Sequence, residues 1–177
     1  TYALPGSPAV SNPAAEWDAS TGVQLTNPDA TDASATASEF GVPVSNSGFI
    51  NYLNKFGQVT PGSYKTYDPI GELYYASLRY FRNLGNVPEW TNMGSANTNT
   101  KTTWVDGFPV ITQWDDPVLF SCQKNFVLGI GDVNTHADKN VAGSSGSSQE
   151  PSRPAAVLAD TAVDAKTATN KVGQLHG

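Results

Sequence analysis

The chain has 177 residues, a net charge of −6 and a pI near 4.7. An acidic surface repels phosphate backbones, which argues against nucleic-acid binding. Apolar residues make up 38% and charged residues 15%, both below the globular average, and the difference is filled by 16 Ser, 17 Thr and 14 Asn. With 16 Gly and 12 Pro the chain is rich in turn formers, and 10% aromatics separates it from a disordered acidic tail.

No run of about 18 apolar residues predicts a transmembrane helix. No basic start followed by an apolar stretch predicts a signal peptide. The composition reads as that of an extracellular surface protein, with a cytosolic protein as the alternative. The chain starts at Thr1, which reads as a piece excised from something longer. Cys122 is the single cysteine, so no internal disulfide framework is expected. Two readings stand for it: a small buried hydrophobe, or a thiol whose partner lies outside this chain.

Residues 1–45 read as a loop-rich wrapping segment or insertion, punctuated by Pro5, Pro8, Pro13, Pro28 and Pro43. The stretch 27–36 is close to low complexity. Trp17 and Val23-Gln24-Leu25 are expected to pack on the body or to form a short edge strand. A short helix is predicted from Asn46 or Ser47 to Gly57. The clearest helix starts at Asp68 as N-cap with Pro69 at N1 and ends at Gly85. Ile70, Leu73, Tyr74, Leu78, Phe81 and Leu84 gather on its apolar face, and Glu72, Arg79, Arg82 and Asn83 on the other.

From Trp90 to Thr103 the chain reads as an exposed polar excursion. Phe108-Pro109-Val110-Ile111 reads as a short strand and Trp114-Asp115-Asp116-Pro117 as a turn. The run from Asn125 to Asp132 is continuously apolar, as in strands buried on both faces of a parallel sheet. Residues 143–154 form a Ser/Gly/Pro loop, and 163–172 a modest helix with Asp164 near its start.

Asp132 is the leading site candidate. A carboxylate at the end of a buried strand suits Mg²⁺ or Ca²⁺. Asn134, His136, Asp138 and Asn140 follow at alternate positions. The competing reading is a turn cap at a polar strand exit. An EF-hand fails, because its sixth and twelfth positions are Ala137 and Gly143 instead of Gly and Glu. Asp32-x-Ser34-x-Thr36 matches the first motif of metal-ion-dependent adhesion sites, but no strand can be drawn before it. Catalysis is not expected: His136 and His176 are the only histidines, and no Gly-x-Ser-x-Gly, phosphate loop, Cys-x-x-Cys or His-Glu-x-x-His occurs. Trp90, Trp104 and Trp114 lie in or beside loops. They read either as pins holding long loops or as binding aromatics for glycans or proteins.

Five strings carry a resemblance. They are Asn-Pro-Ala-Ala-Glu-Trp-Asp (12–18), Val-Ser-Asn-Ser-Gly-Phe-Ile-Asn-Tyr-Leu-Asn-Lys-Phe-Gly (44–57) and Ser-Tyr-Lys-Thr-Tyr-Asp-Pro-Ile-Gly-Glu-Leu-Tyr-Tyr-Ala-Ser-Leu-Arg-Tyr-Phe (63–81). The last two are Asp-Gly-Phe-Pro-Val-Ile-Thr-Gln-Trp-Asp-Asp-Pro (106–117) and Cys-Gln-Lys-Asn-Phe-Val-Leu-Gly-Ile-Gly-Asp-Val-Asn-Thr (122–135). With them the chain resembles the N-terminal half of the PilC/PilY family of type IV pilus biogenesis factors and tip-associated adhesins.

The resemblance implies an α/β fold, a partial von Willebrand factor A-like doubly wound sheet with long loop insertions over 46–177. Its first metal-site strand would be missing. It implies that Asp132 takes the role of the late metal-site Asp, with Asp68 standing where the family has Thr. A Mg²⁺ or Ca²⁺ site would then be only partly present. Cys122 would pair with a cysteine of the missing upstream region. The implied function is non-catalytic: fimbrium biogenesis, cell adhesion and twitching motility at the bacterial surface, pilus tip or outer membrane. Pilus-tip or minor pilins, host or surface ligands and the rest of the parent protein would be the partners. The alternative is a secreted structural or glycan-binding module without a metal role.

Overall fold

The computed structural model describes residues 15–55, 58–60, 63–64, 69–130, 140–145 and 151–176. It contains seven helices among the described residues: α1 (Ala30–Phe40), α2 (Phe49–Lys55), α3 (Ile70–Phe81), α4 (Pro88–Thr91), α5 (Thr98–Val105), α6 (Ala155–Leu158) and α7 (Ala165–His176). The only sheet among them is an antiparallel pair, β1 (Gln58–Thr60) with β2 (Ser63–Tyr64), in the register Gln58 to Tyr64 and Thr60 to Ser63. The expected α/β doubly wound von Willebrand A-like sheet is therefore corrected to a helical architecture. The chain divides into two compact units, one of residues 1–65 and 93–111, the other of 66–92 and 112–177.

In the first unit α1 occupies a stretch expected to be loop. Its ends explain it. The Asp29 side chain accepts from the Asp32 amide at the N-terminus, and Gly41 closes the helix with φ of 68°. Between these caps the run is rich in alanine, the best helix former. Low complexity had hidden a capped helix. The same holds for α5, inside the expected polar excursion. Asn97 accepts from the Thr100 amide, and Asp106 ends the helix in the left-handed region. That conformation is uncommon for a residue with a Cβ. Lys55 holds it, with Nζ 2.9 Å from Asp106 Oδ1 and 2.8 Å from its carbonyl.

The expected strand at 108–111 has no ladder. Thr36 takes the partner's place: its Oγ1 accepts from the Val110 amide at 3.0 Å and donates to the Val110 carbonyl at 3.4 Å. The loop before α1 is folded on itself by a single bridge between Trp17 and Gln24. Asp18 anchors its turn, accepting from Ser20 and Thr21. Those bonds, the Ser20 hydroxyl first, hold its carboxyl down to about 2.

In the second unit α3 forms where the amphipathic pattern predicts, but Pro69 is its N-cap instead of its first helical residue, and it ends earlier, with Arg82 as C-cap. The buried face also differs. Tyr75 and Arg79, four residues apart, are the buried positions, while Leu73 and Tyr74 are exposed. Arg79 is buried because its guanidinium serves the chain reversal that follows: Nε donates to the Gly85 carbonyl and Nη2 to that of Leu84, each at 3.1 Å. Tyr75 joins Val87, Val141, Ala142 and Val157 in the core of this unit, with Trp90, Val163 and Ala165 packed against it.

Asp164 starts α7 as expected, accepting from the Thr167 amide at 2.8 Å. Gly143 lies against it with φ of 75°, and a Cβ there would stand 2.6 Å from the Asp164 Cα. Of the run Asn125–Asp132, the described residues 125–130 are not a buried strand. Its described part forms no ladder, and Phe126 and Leu128 are 82% and 85% exposed. An unbroken apolar run signals that burial is favourable, without specifying what supplies it.

Candidate functional site

The first unit contains a cavity of about 720 Å³. Four segments build it. The N-terminus of α1 contributes Asp29 and Asp32, α2 contributes Phe49 and Tyr52, and the segment after α5 contributes Phe108. At its base lie Ser47 and Gly48, with Glu16 from the N-terminal loop.

Each wall is held by specific bonds. Glu16 reaches across 33 residues to cap α2: the Phe49 amide donates to Oε1 at 2.7 Å and the Ile50 amide to Oε2 at 2.9 Å. Ser47 is fully buried, donating to Asn27 Oδ1 at 2.6 Å and accepting from the Asp29 amide at 2.7 Å. Asn51 Nδ2 bonds the carbonyls of Leu25 and Ser47. Gly48 is required where it stands. Its φ is 93°, and a Cβ would come within 2.7 Å of the Pro28 ring.

The chemistry of the walls divides in two. On the aromatic side Tyr52 meets Phe108 edge-on at 5.4 Å, and the Lys55 ammonium stands 5.8 Å from the Phe108 centroid. On the acidic side Asp29 Oδ1 is engaged by the Asp32 amide at 3.2 Å. Burial, and then the charge of Asp29, raise the Asp32 carboxyl above its ordinary value. None of the described lining residues is cationic.

A second polar constellation joins α3 to the segment after α6. Asp160 accepts from Arg82 Nη1 at 2.7 Å, Arg82 Nη2 at 3.2 Å, Tyr75 Oη at 2.8 Å and the Ala162 amide at 3.1 Å. The bidentate Arg82 contact is the main reason its carboxyl is lowered to about 2. Every acceptor direction is occupied from within the unit, so this is a structural joint.

Asp132 and Asp68, the expected metal ligands, lie outside the described residues. Among the described residues no group of three or more His, Cys, Asp or Glu is placed to hold a metal. Asp32 of the adhesion-site motif lies in the first turn of α1, not at the end of a strand. Trp90 lies in α4, half-buried, edge-on to Tyr75 at 6.0 Å. Trp114 stands edge-on to Tyr80 at 5.7 Å, and Trp104 on α5 is 55% exposed. Cys122 is exposed, which sets aside the buried-hydrophobe reading.

Sequence reasoning did not find the cavity. Asp29-x-x-Asp32 carries a readable capping pattern. Glu16 carries none, because its two partners are more than thirty residues away.

The full set of residues 9–177 matches the family described as "PilY1 homolog, second domain". The chain belongs to this family. It is 47% identical over 167 residues to the type IV pilus biogenesis factor PilY1 homolog of Xylella fastidiosa (strain Temecula1). That match covers 94% of this chain and 14% of the relative, so the chain spans about one seventh of the relative's length. No solved structure matches it. Among the described residues no helix is long and apolar enough to cross a membrane.

Proposed function

We propose that this chain serves type IV pilus biogenesis and surface attachment as one domain of a longer PilY1-type protein. It acts through binding, not catalysis, at the bacterial surface or pilus tip. Its partners are pilus-tip components or minor pilins, surface ligands and the remainder of its own polypeptide. The observation that carries this is the 47% identity, over nearly the whole chain, to a protein named for pilus biogenesis. The cavity and exposed aromatics suit binding, and the aromatic-rich surface is of the kind that protein interfaces use. An in-frame deletion of these residues in the parent gene tests it. Loss of surface pili and of attachment is expected, with the shortened protein still present by immunoblot. Normal piliation and attachment in that strain would overturn the proposal.

Divalent-cation binding through Asp132 belongs to the same proposal and is supported by the oxygen and nitrogen ligands at alternate positions after it, while Asp68 joins it only through the family resemblance. Calorimetric titration of Ca²⁺ and Mg²⁺ should show weaker binding to Asp132→Ala. Equal affinity in both proteins removes the metal role.

A further inference from the structure

The geometry points to the cavity of the first unit as a binding site for an aliphatic cation, the lysine or arginine side chain of a polypeptide partner. The volume, about 720 Å³, lies within the range of ligand pockets and accommodates an extended side chain with its flanking backbone. Phe49 and Tyr52, 67% and 42% exposed, offer apolar surface for the methylene stem and π-faces for the charge. Asp29 and Asp32 supply carboxylates to the same lining. The unit already shows this chemistry once: the Lys55 ammonium stands over the Phe108 ring while its charge is met by Asp106.

The other ligand classes fit less well. An anion would meet two aspartates and no cationic lining residue among those described. A neutral polar ligand would find Glu16 committed to two amides and Asp29 Oδ1 to a third. A cation relieves the repulsion between the Asp29 and Asp32 carboxylates. This inference rests on the cavity alone and is independent of the pilus assignment.

The test uses the full 177-residue chain, labelled for NMR, and three probes. They are the acetylated and amidated tripeptide Gly-Lys-Gly, the same peptide with norleucine for lysine, and spermidine. The lysine peptide should shift the amide signals of Asp32, Phe49 and Ile50 saturably, and the norleucine peptide should not. In the double variant Asp29→Asn, Asp32→Asn the apparent Kd should rise about fivefold or more. Asparagine caps a helix as well as aspartate does, so α1 is retained, and circular dichroism verifies this. Unchanged affinity in the variant, an equal response to norleucine, or no saturable shift at these amides overturns the inference. A response to spermidine without one to the lysine peptide overturns the polypeptide source.

Discussion

Tyr75→Ala is expected to destabilise the second unit by about 3–4 kcal/mol, the cost of truncating a buried aromatic. Tyr75 is 2% exposed and central to a core of five buried residues. Its ring meets Trp90 on one side and the Arg79 guanidinium, 5.9 Å away, on another. Removing it opens a void that small neighbours such as Ala142 and Val157 cannot fill. It also strips an apolar cover from a buried arginine. A lower urea midpoint at unchanged slope, read from tryptophan fluorescence with Trp17 and Trp104 replaced by Phe, would verify the effect. Tyr75→Phe should cost only about 1–2 kcal/mol, since it removes two hydrogen bonds, to Asp160 and from Arg79 Nη1, and keeps the packing. A large loss in Tyr75→Phe with little further loss in Tyr75→Ala would contradict the packing account.

Asp160→Ala is expected to cost about 2 kcal/mol. The full cost of breaking a buried pair is not expected, because Arg82 is 36% exposed and its charge is partly met by water. The pH dependence separates this from a packing effect. The Asp160 carboxyl titrates near 2 when folded, against about 3.9 when unfolded. A depressed folded value stabilises above the unfolded one, so the contribution is complete above about pH 4 and is lost as pH falls towards about 2. The wild-type chain should lose this increment over that window, while Asp160→Asn should lack it. An acid limb of equal steepness in both would remove Asp160 as the cause. Tyr75 Oη donates to Asp160, so Tyr75→Phe and Asp160→Asn should not be additive.

Much of the local structure was legible. Proline and the amphipathic pattern placed α3, a short helix was expected where α2 forms, and Asp164 marked the start of α7. Each of these is written in residues that lie within a few positions of one another. The expected turn at Trp114-Asp115-Asp116-Pro117 is instead an irregular stretch with a bend at Pro117, where the Val118 amide bonds Asp116 Oδ1 at 2.9 Å. Two capped helices, α1 and α5, were also encoded locally, in Asp29 to Gly41 and Asn97 to Asp106. They were masked by small polar residues with weak or absent amphipathic pattern. The family was legible too, because long exact strings carry it without any model of the fold.

What the acidic, Ser/Thr/Asn-rich composition could determine by itself was a polar chain with small cores and many capped turns. Which faces those cores take was decided only in three dimensions. On α3 periodicity favoured Leu73 and Tyr74, yet Tyr75 and Arg79 are buried. The reason is that bonds from Arg79 to the Leu84 and Gly85 carbonyls, and from Tyr75 to Asp160, make polar groups cheap to bury, and hydropathy does not count them. The cavity depended on tertiary structure altogether. Its aspartates, its aromatics and its Glu16 clamp come from four stretches of chain, and only packing brings their opposite chemistries to face one space.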